Sequence, residues 1–355
     1  MNATTNQPIC FAVIGCGHIG KRHAEMIRRH PEARLVGLCD NRPKAELALP
    51  HDLEDVPFFQ NPEDMLAALP EIDVVNVCTP NGLHARHSLV ALDHQKHVVC
   101  EKPMAITRAD CEKVIHTALQ ASRTVFGVMQ NRYSPPSAWL KEIIEEKRLG
   151  EIFLVQLNCF WNRDDRYYKA GGWKGTQDLD GGTLFTQFSH FIDIMYWVFG
   201  DITDIHGVFA DFNHRGTTAF EDTGIVNFRF LNGGMGSLNY TTSVYDTNLE
   251  SSITVIGEKG SLKIGGQYMN EVEYCHIKGY TMPELPPASP ANDYGSYKGS
   301  AANHHFIIEN VVDTLKGRTT MTTNALEGMK VVDIIERIYA LRRNEKPEIR
   351  LHHAQ

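Results

Sequence analysis

Missing from these 355 residues are the marks of several large protein classes. The eight cysteines (Cys10, Cys16, Cys39, Cys78, Cys100, Cys111, Cys159 and Cys275) form no CxxC pair and no short His/Cys cluster of zinc-site spacing. That argues against a bound metal and against a zinc-dependent alcohol dehydrogenase. Adjacent pairs such as His304–His305 and His352–His353 would point in different directions on a helix, so they make a poor metal site. No apolar run approaches the roughly 20 residues needed to cross a bilayer. The opening MNATTNQP has neither the basic nor the apolar region of a signal peptide. Positive charge is also scarce: 35 Lys and Arg stand against 43 Asp and Glu. A net charge of −8 argues against a broad nucleic-acid or membrane surface. A cytoplasmic protein with reduced thiols is expected, Cys10, Cys39, Cys78 and Cys100 serving as small hydrophobes in strands. There is no internal repeat and no low-complexity tract.

The length predicts about two domains. From Ile9 to about Gly127, the runs ICFAVIG, ARLVGLCD, IDVVNVCTP, KHVVCEKP and RTVFGV alternate with helix-like stretches. Such nearly continuous apolar runs suit parallel strands buried on both faces, a doubly wound α/β domain. After Pro135–Pro136 comes a helix carrying Leu140, Ile143 and Ile144, and then strand-like segments dominate. Val226, Phe228 and Phe230 alternate with Asn227 and Arg229, as in a sheet with one wet face. Asn232-Gly233-Gly234 reads as a hairpin turn. The helix-like FTQFSHFIDIMYWVFG interrupts these strands. Lys278 to Ser300 lacks periodicity and reads as a long functional or mobile loop. Two closing helices follow. The expected division is 1–130 for a mostly parallel domain and 131–355 for an α+β domain with a large open, mostly antiparallel sheet.

Gly15-Cys16-Gly17-His18-Ile19-Gly20 follows the first strand and opens the first helix. The first glycine permits a tight turn, the second lets a pyrophosphate approach the backbone, and the third packs helix against strand. The helix N-terminus adds N–H groups and partial positive charge. Asp40 closes the second strand twenty residues after Gly20, where a carboxylate accepts ribose hydroxyls and repels a 2′-phosphate. NAD is therefore preferred over NADP, with Arg42 softening the preference. Thr79-Pro80-Asn81 either lines the cofactor crevice or, with Asn81 as N-cap, only starts the next helix.

Glu101-Lys102-Pro103 ends a further strand at the same edge. Lys102 is either a surface partner of Glu101 or, beside an oxidised nicotinamide, a lysine of lowered pKa that shares a substrate hydroxyl proton. His190 shares a helix with Thr186, Gln187 and Asp193, a polar line on an apolar helix that suggests a face toward a cavity. Taken alone, it also fits a satisfied core histidine.

GCGHIGKRH, CTPNGLHARHS, EKP and GGTLFTQFSHFID, in this order and spacing, resemble the Gfo/Idh/MocA oxidoreductase family over nearly the whole chain. The resemblance implies a Rossmann domain followed by an α/β domain whose sheet builds dimers or tetramers. It also implies catalytic roles for Lys102 and His190. Many members carry an Asp four residues before the histidine; Thr186 stands there, which either shifts the proton acceptor toward Lys102 or leaves the role shared with His190. The cofactor site is assigned to Gly15, Gly17, His18, Ile19, Gly20, Asp40, Asn41, Thr79, Pro80, Asn81, His84, Glu101, Lys102 and Gln130.

Within the family, QNRYSPP, CFWNRDDRYYKAGGWKGT and NLESSITVIGEKGSLKIGGQYMN resemble UDP-N-acetylglucosaminuronate 3-dehydrogenases of the WlbA/WbpB type. That implies oxidation of a sugar C3 hydroxyl, coupled to an aminotransferase in bacterial surface-polysaccharide synthesis. Substrate contacts are assigned to Lys102, Asn131, Arg132, Arg163, Arg166, Tyr167, Trp173, Thr186, Gln187 and His190, with Tyr168 a further aromatic cover. Arg163 and Arg166 offer forks for a carboxylate or phosphate, although contacts within a sheet-edge loop would explain the same residues. A dehydrogenase of inositol or of a free sugar, and a non-catalytic NAD-responsive regulator, stay open as alternatives.

Overall fold

The computed structural model describes residues 7–295 and 297–342, so His352 and His353 lie outside the described residues. Six parallel strands make the first sheet: β1 (Ile9–Ile14), β2 (Ala33–Cys39), β3 (Phe58–Phe59), β4 (Val74–Val77), β5 (His97–Cys100) and β6 (Val125–Gly127). Their order is β3-β2-β1-β4-β5-β6. Along β1, Phe11 and Val13 join one hydrophobic cluster while Cys10, Ala12 and Ile14 join another. Side chains alternate across a strand, so a run buried on both faces must be apolar throughout. Helices α1 (His18–Arg29), α2 (Pro62–Ala68), α3 (His84–Asp93) and α4 (Arg108–Ala121) connect the strands. Strand order reverses between β1 and β4, which opens a crevice at their carboxyl ends. The two-residue β3 was too short to be read from apolar runs.

The second sheet follows α5 (Pro135–Glu145). It comprises β7 (Ile152–Phe160), β8 (Ile202–Ala210), β9 (Thr223–Phe230), β10 (Met235–Thr241), β11 (Glu250–Gly257), β12 (Gly260–Gly265) and β13 (Glu271–Ile277), with α6 (Ser189–Phe199) between β7 and β8. The order is β13-β12-β11-β7-β10-β9-β8, with β7–β10 parallel and the other pairs antiparallel. Val226, Phe228 and Phe230 are buried with Leu238 and Tyr240, and Phe188 and Phe191 join the same core. The opposite face is wet, yet it carries exposed Val208, Ile225 and Met235. β13 is an edge strand of mixed polarity (EVEYCHI) and escaped the sequence reading.

Residues 278–300 are not wholly a loop. Within them β14 (Ala291–Asp293) pairs with β15 (Lys298–Ala301) as a short antiparallel hairpin. α7 (His304–Leu315) then returns to the first domain, placing Ile307, Ile308, Val311 and Val312 in the cluster of Phe11 and Val13. α8 (Ala325–Arg342) adds Val331, Val332 and Ile335 to the larger core. All eight cysteines are free thiols. Among the described residues, no helix is long and apolar enough to cross a membrane.

Candidate active site

The turn between β1 and α1 separates three glycine roles. Gly15 has φ +94°, and a Cβ there would lie 2.6 Å from the Cys78 carbonyl oxygen. At Gly20 a Cβ would fall 1.8 Å from the Gly15 oxygen, which is helix against turn. Gly20 therefore packs α1 and does not itself line the cleft. Among the described residues, nothing lies within 4 Å of a Cβ at Gly17. The space that Gly17 leaves is open, in front of a helix N-terminus that no side chain caps. A dinucleotide pyrophosphate fits that cradle.

Asp40 is less available than its position suggests. Its carboxylate accepts from Cys16 N at 2.8 Å, from Arg42 N at 3.1 Å, and from Arg42 Nε and Nη2 at 2.9 and 3.0 Å. Burial opposes its charge, but the Arg42 and Cys16 bonds outweigh burial and hold the carboxyl below its usual value. Asp40 lines the cleft, and the Arg42 fork on both of its oxygens is the neighbour that the sequence suggested would soften the NAD preference. Arg42→Ala is therefore expected to raise the preference for NAD over NADP about tenfold, the worth of a charge-assisted hydrogen bond. Parallel kcat/KM measurements with the two cofactors check this, and an unchanged ratio would show that Arg42 does not compete.

Four strand-end loops meet beyond the glycine turn. His84 brackets two of them, with Nδ1 2.7 Å from the Pro103 oxygen and Nε2 2.7 Å from the Thr79 oxygen. Asn81 does not cap a helix. Its amide crosses to the second domain, donating to the Asp180 oxygen at 2.8 Å and to Thr186 Oγ1 at 2.7 Å. Gly82 allows the approach, since a Cβ would sit 2.0 Å from the Asp178 oxygen.

Lys102 lines the cleft and donates from Nζ to the Thr186 carbonyl at 2.7 Å. It is no surface partner of Glu101, whose buried carboxylate lies 2.9 Å from His23 Nε2 and accepts from Lys102 N at 3.1 Å. Burial opposes the Glu101 charge, yet the His23 and His304 rings hold that carboxyl well below the usual range. For Lys102 burial is the largest influence and lowers its pKa; Glu101 and Asp180 pull the other way. A lysine poised this way can take a proton.

A turn of π-helix over Leu184–Phe188 precedes α6 and brings Thr186, Gln187 and His190 onto the cleft wall. Gln130 Nε2 lies 3.2 Å from His190 Nε2. Burial, helped by the Lys102 charge, drives the His190 pKa well below the ordinary value, and the ring is neutral. Its Nδ1 is buried without a partner among the described residues. Asp193 leaves the expected polar line: it turns to the buried Arg132, at 2.6 and 2.9 Å.

Three assigned substrate contacts do not line the cleft. Arg132 has no exposed side-chain surface and binds Asp193 and Glu327. Asn131 is buried and does not line the cleft. Both lie on the tight turn Gln130–Tyr133, where neighbours point about 120° apart, and Gln130 takes the cleft-facing position. Arg166 is held outside the cleft by Asp164 and Asp246. Tyr168 likewise turns away, its ring packing 5.3 Å from that of His214.

Arg163 does reach the cleft, but its fork is mostly taken. It donates to Gln187 Oε1 at 2.7 Å, to the Asn162 and Lys298 carbonyls, and to Asn248 Oδ1. Its guanidinium carbon lies 4.7 to 5.1 Å from the ring centres of Trp161, Tyr167 and Tyr297. It contributes charge more than free donors. The remaining assignments (His18, Ile19, Asn41, Thr79, Pro80, Asn81, His84, Glu101, Gln130, Tyr167, Trp173, Thr186) all line the same cleft.

Lys174, Asp180 and Tyr297 were missed. Lys174 Nζ sits 3.7 Å from the Tyr167 ring centre and 4.7 Å from that of Tyr297. Burial first, then Arg163, pushes its pKa down to about 8. Its only signal was position within GGWKGT beside Trp173. Tyr297 lay in the aperiodic stretch, and Asp180 in a loop with no spacing to mark it.

Residues 9–128 match the oxidoreductase family with NAD-binding Rossmann fold, and residues 138–263 match the GFO/IDH/MocA C-terminal domain. The fold is similar to the WlbA dehydrogenase of Bordetella pertussis, crystallised with NADH and UDP-GlcNAcA: TM-score 0.83, 32% identity, 95% of this chain and 97% of that one. The Chromobacterium violaceum WlbA complex with the same ligands also gives TM-score 0.83 and 32% identity, over 96% and 95% of the two chains. The D-glucoside 3-dehydrogenase of Escherichia coli K12 is 26% identical, over 95% of this chain and 96% of that protein. With both halves matched in order and a nucleotide cradle at the β1–α1 turn, the chain belongs to the GFO/IDH/MocA family of NAD-dependent oxidoreductases.

Proposed function

We propose that the protein oxidises the C3 hydroxyl of a UDP-N-acetylglucosaminuronic acid to the 3-keto sugar. The observation that carries this reading is one continuous cleft of about 1140 Å³, running from the Gly17 cradle past Lys102 and His190 to Arg163 and Lys174. Two reactants of nucleotide size fit end to end, with Lys102 between them. Bound NAD supplies the hydride acceptor. Lys102 Nζ, oriented by the Thr186 carbonyl, takes the hydroxyl proton. Neutral His190 offers a hydrogen bond to the same oxygen, and Gln187 and Thr186 hold the ring. Arg163 and Lys174 set a positive field that favours a uronate or diphosphate over a neutral sugar. Holding both reactants in register is the largest contribution such a site makes.

Residues 1–130 act in this reading as the cofactor domain, and 131–355 as the substrate and assembly domain. The wet sheet face with Val208, Ile225 and Met235 is where copies would associate as a dimer or tetramer. Alcohol oxidation by NAD is uphill near neutral pH, so an aminotransferase consuming the ketone is expected in the same cytoplasmic sequence. The test is NADH formation with UDP-N-acetylglucosaminuronate, with UDP-N-acetylglucosamine (which keeps the diphosphate but lacks the carboxylate), with myo-inositol and with glucose. The uronate nucleotide sugar should give the highest kcat/KM by at least tenfold. A faster neutral sugar would favour the glycoside- or inositol-oxidising reading. Tight NAD binding with no turnover on any of them would favour a regulator.

A further inference from the structure

Asp180 has no role in the chemistry so far, yet its side chain is sealed at the back of the catalytic lysine. It is fully buried. One carboxylate oxygen accepts from Gly175 N at 2.7 Å, and the other accepts from the Thr186 hydroxyl. Among the described residues, no Lys, Arg or His forms an ion pair with it. Thr186 thus touches both charges: its hydroxyl binds the Asp180 carboxylate, and its carbonyl oxygen holds Lys102 Nζ. Asn81 locks the arrangement, donating to both Thr186 Oγ1 and the Asp180 backbone oxygen.

A carboxylate deprived of water is costly unless a cation or several donors offset the loss. Here the Thr186 hydroxyl and the Gly175 and Gly182 amides reach it, and Lys102 is close enough to act on its charge. The geometry points to Asp180 as the counter-charge of Lys102. It is a positioning residue that raises the share of ammonium at the catalytic nitrogen and, through Thr186, aims that nitrogen at the substrate hydroxyl. This rests on the reading of Lys102 as proton acceptor.

Lys102 also faces Glu101 beyond β5, Arg163 beyond β7, Lys174 in the following loop, His190 on α6 and His84 on α3. Tyr167 and Tyr168 face Asp180 as well. Burial pushes the Asp180 carboxyl up to about 6, against the Thr186 and Gly175 bonds that lower it. Around neutral pH it is therefore mostly ionised. A neighbouring anion favours the ammonium, so its removal lowers the lysine pKa.

The test uses Asp180→Asn, which keeps shape and removes charge. The readout is the pH dependence of Lys102 acetylation by acetic anhydride, which consumes only the free amine, followed by peptide mass spectrometry on the whole protein. The midpoint for Lys102 should fall by about one pH unit in the variant. Asp180→Glu, which restores the charge, should bring it back toward the wild-type value. An unchanged midpoint in an Asn variant that melts normally and binds NAD overturns the proposal. Should the Asn variant not fold, Thr186→Val removes a donor from the carboxylate and makes it harder to ionise. A smaller fall in the same direction is then expected, and no fall overturns the proposal equally. Labelling needs no sugar, so a wrong substrate assignment appears separately, as a wild-type protein that labels as described but forms no NADH.

Discussion

Lys102→Ala is expected to lower turnover about a thousandfold while NAD affinity changes less than threefold, within the usual worth of a general base. The asymmetry follows from where the side chain lies. The cradle at Gly15 and Gly17 and the α1 N-terminus are separate from Lys102, whose Nζ is tied to Thr186 across the cleft. Its removal takes away a proton acceptor without disturbing the pyrophosphate cradle. Lys102→Arg should recover little, because guanidinium holds its charge and cannot accept a proton in this range. The pH dependence has a definite sign: only the free amine is active, so rate should rise with pH up to the lysine pKa, which burial brings below the ordinary lysine value. NADH absorbance gives turnover, and fluorescence titration gives NAD affinity. Turnover within tenfold of wild type would remove Lys102 from the chemistry.

The second large effect concerns stability. Arg132→Ala should cost about 3–5 kcal/mol, because it strands a buried carboxylate. Arg132 Nη2 and Nε meet the two Asp193 oxygens at 2.6 and 2.9 Å, and Nη1 reaches Glu327 at 3.1 Å and the Thr322 carbonyl at 3.2 Å. One guanidinium thus ties the Gln130–Tyr133 turn to α6 and to the start of α8, with Trp197 5.3 Å below it. Both Arg132 and Asp193 are sealed from water. The double change Arg132→Leu, Asp193→Leu should recover much of the loss, since a buried pair exchanged for apolar groups of similar volume is often nearly neutral. Urea unfolding of the two variants beside the wild type measures this. A single-variant loss under 1 kcal/mol would mean that Asp193 finds another partner.

The same pair shows why the sequence was read correctly in outline and wrongly in detail. Gln130, Asn131 and Arg132 stood together as polar residues beside an expected cleft, and nothing in their types distinguished a ligand contact from a strut. The backbone turn made the choice, sending Gln130 to His190 and Arg132 to Asp193. Helical spacing put His190, Thr186 and Gln187 near one another, but the π-turn sets which carbonyl is free to hold Lys102. Asp40 was correctly placed at the end of β2, and its occupation by Arg42 needed coordinates.

From sequence alone came the parallel sheet, the glycine turn and the mixed second sheet. Each follows from local rules: apolar runs buried on both faces, a backbone that must admit a phosphate, and alternation with period two. The lysine's strand-end position followed from the same rules. Only the folded chain decided what surrounds it. Asp180, Lys174 and Tyr297 come from a loop and a hairpin with no periodicity, and the Lys298 carbonyl of that hairpin reaches Arg163 across 135 residues. The electrostatic setting of a buried amine is a sum over such distant neighbours, and no short stretch of sequence contains it.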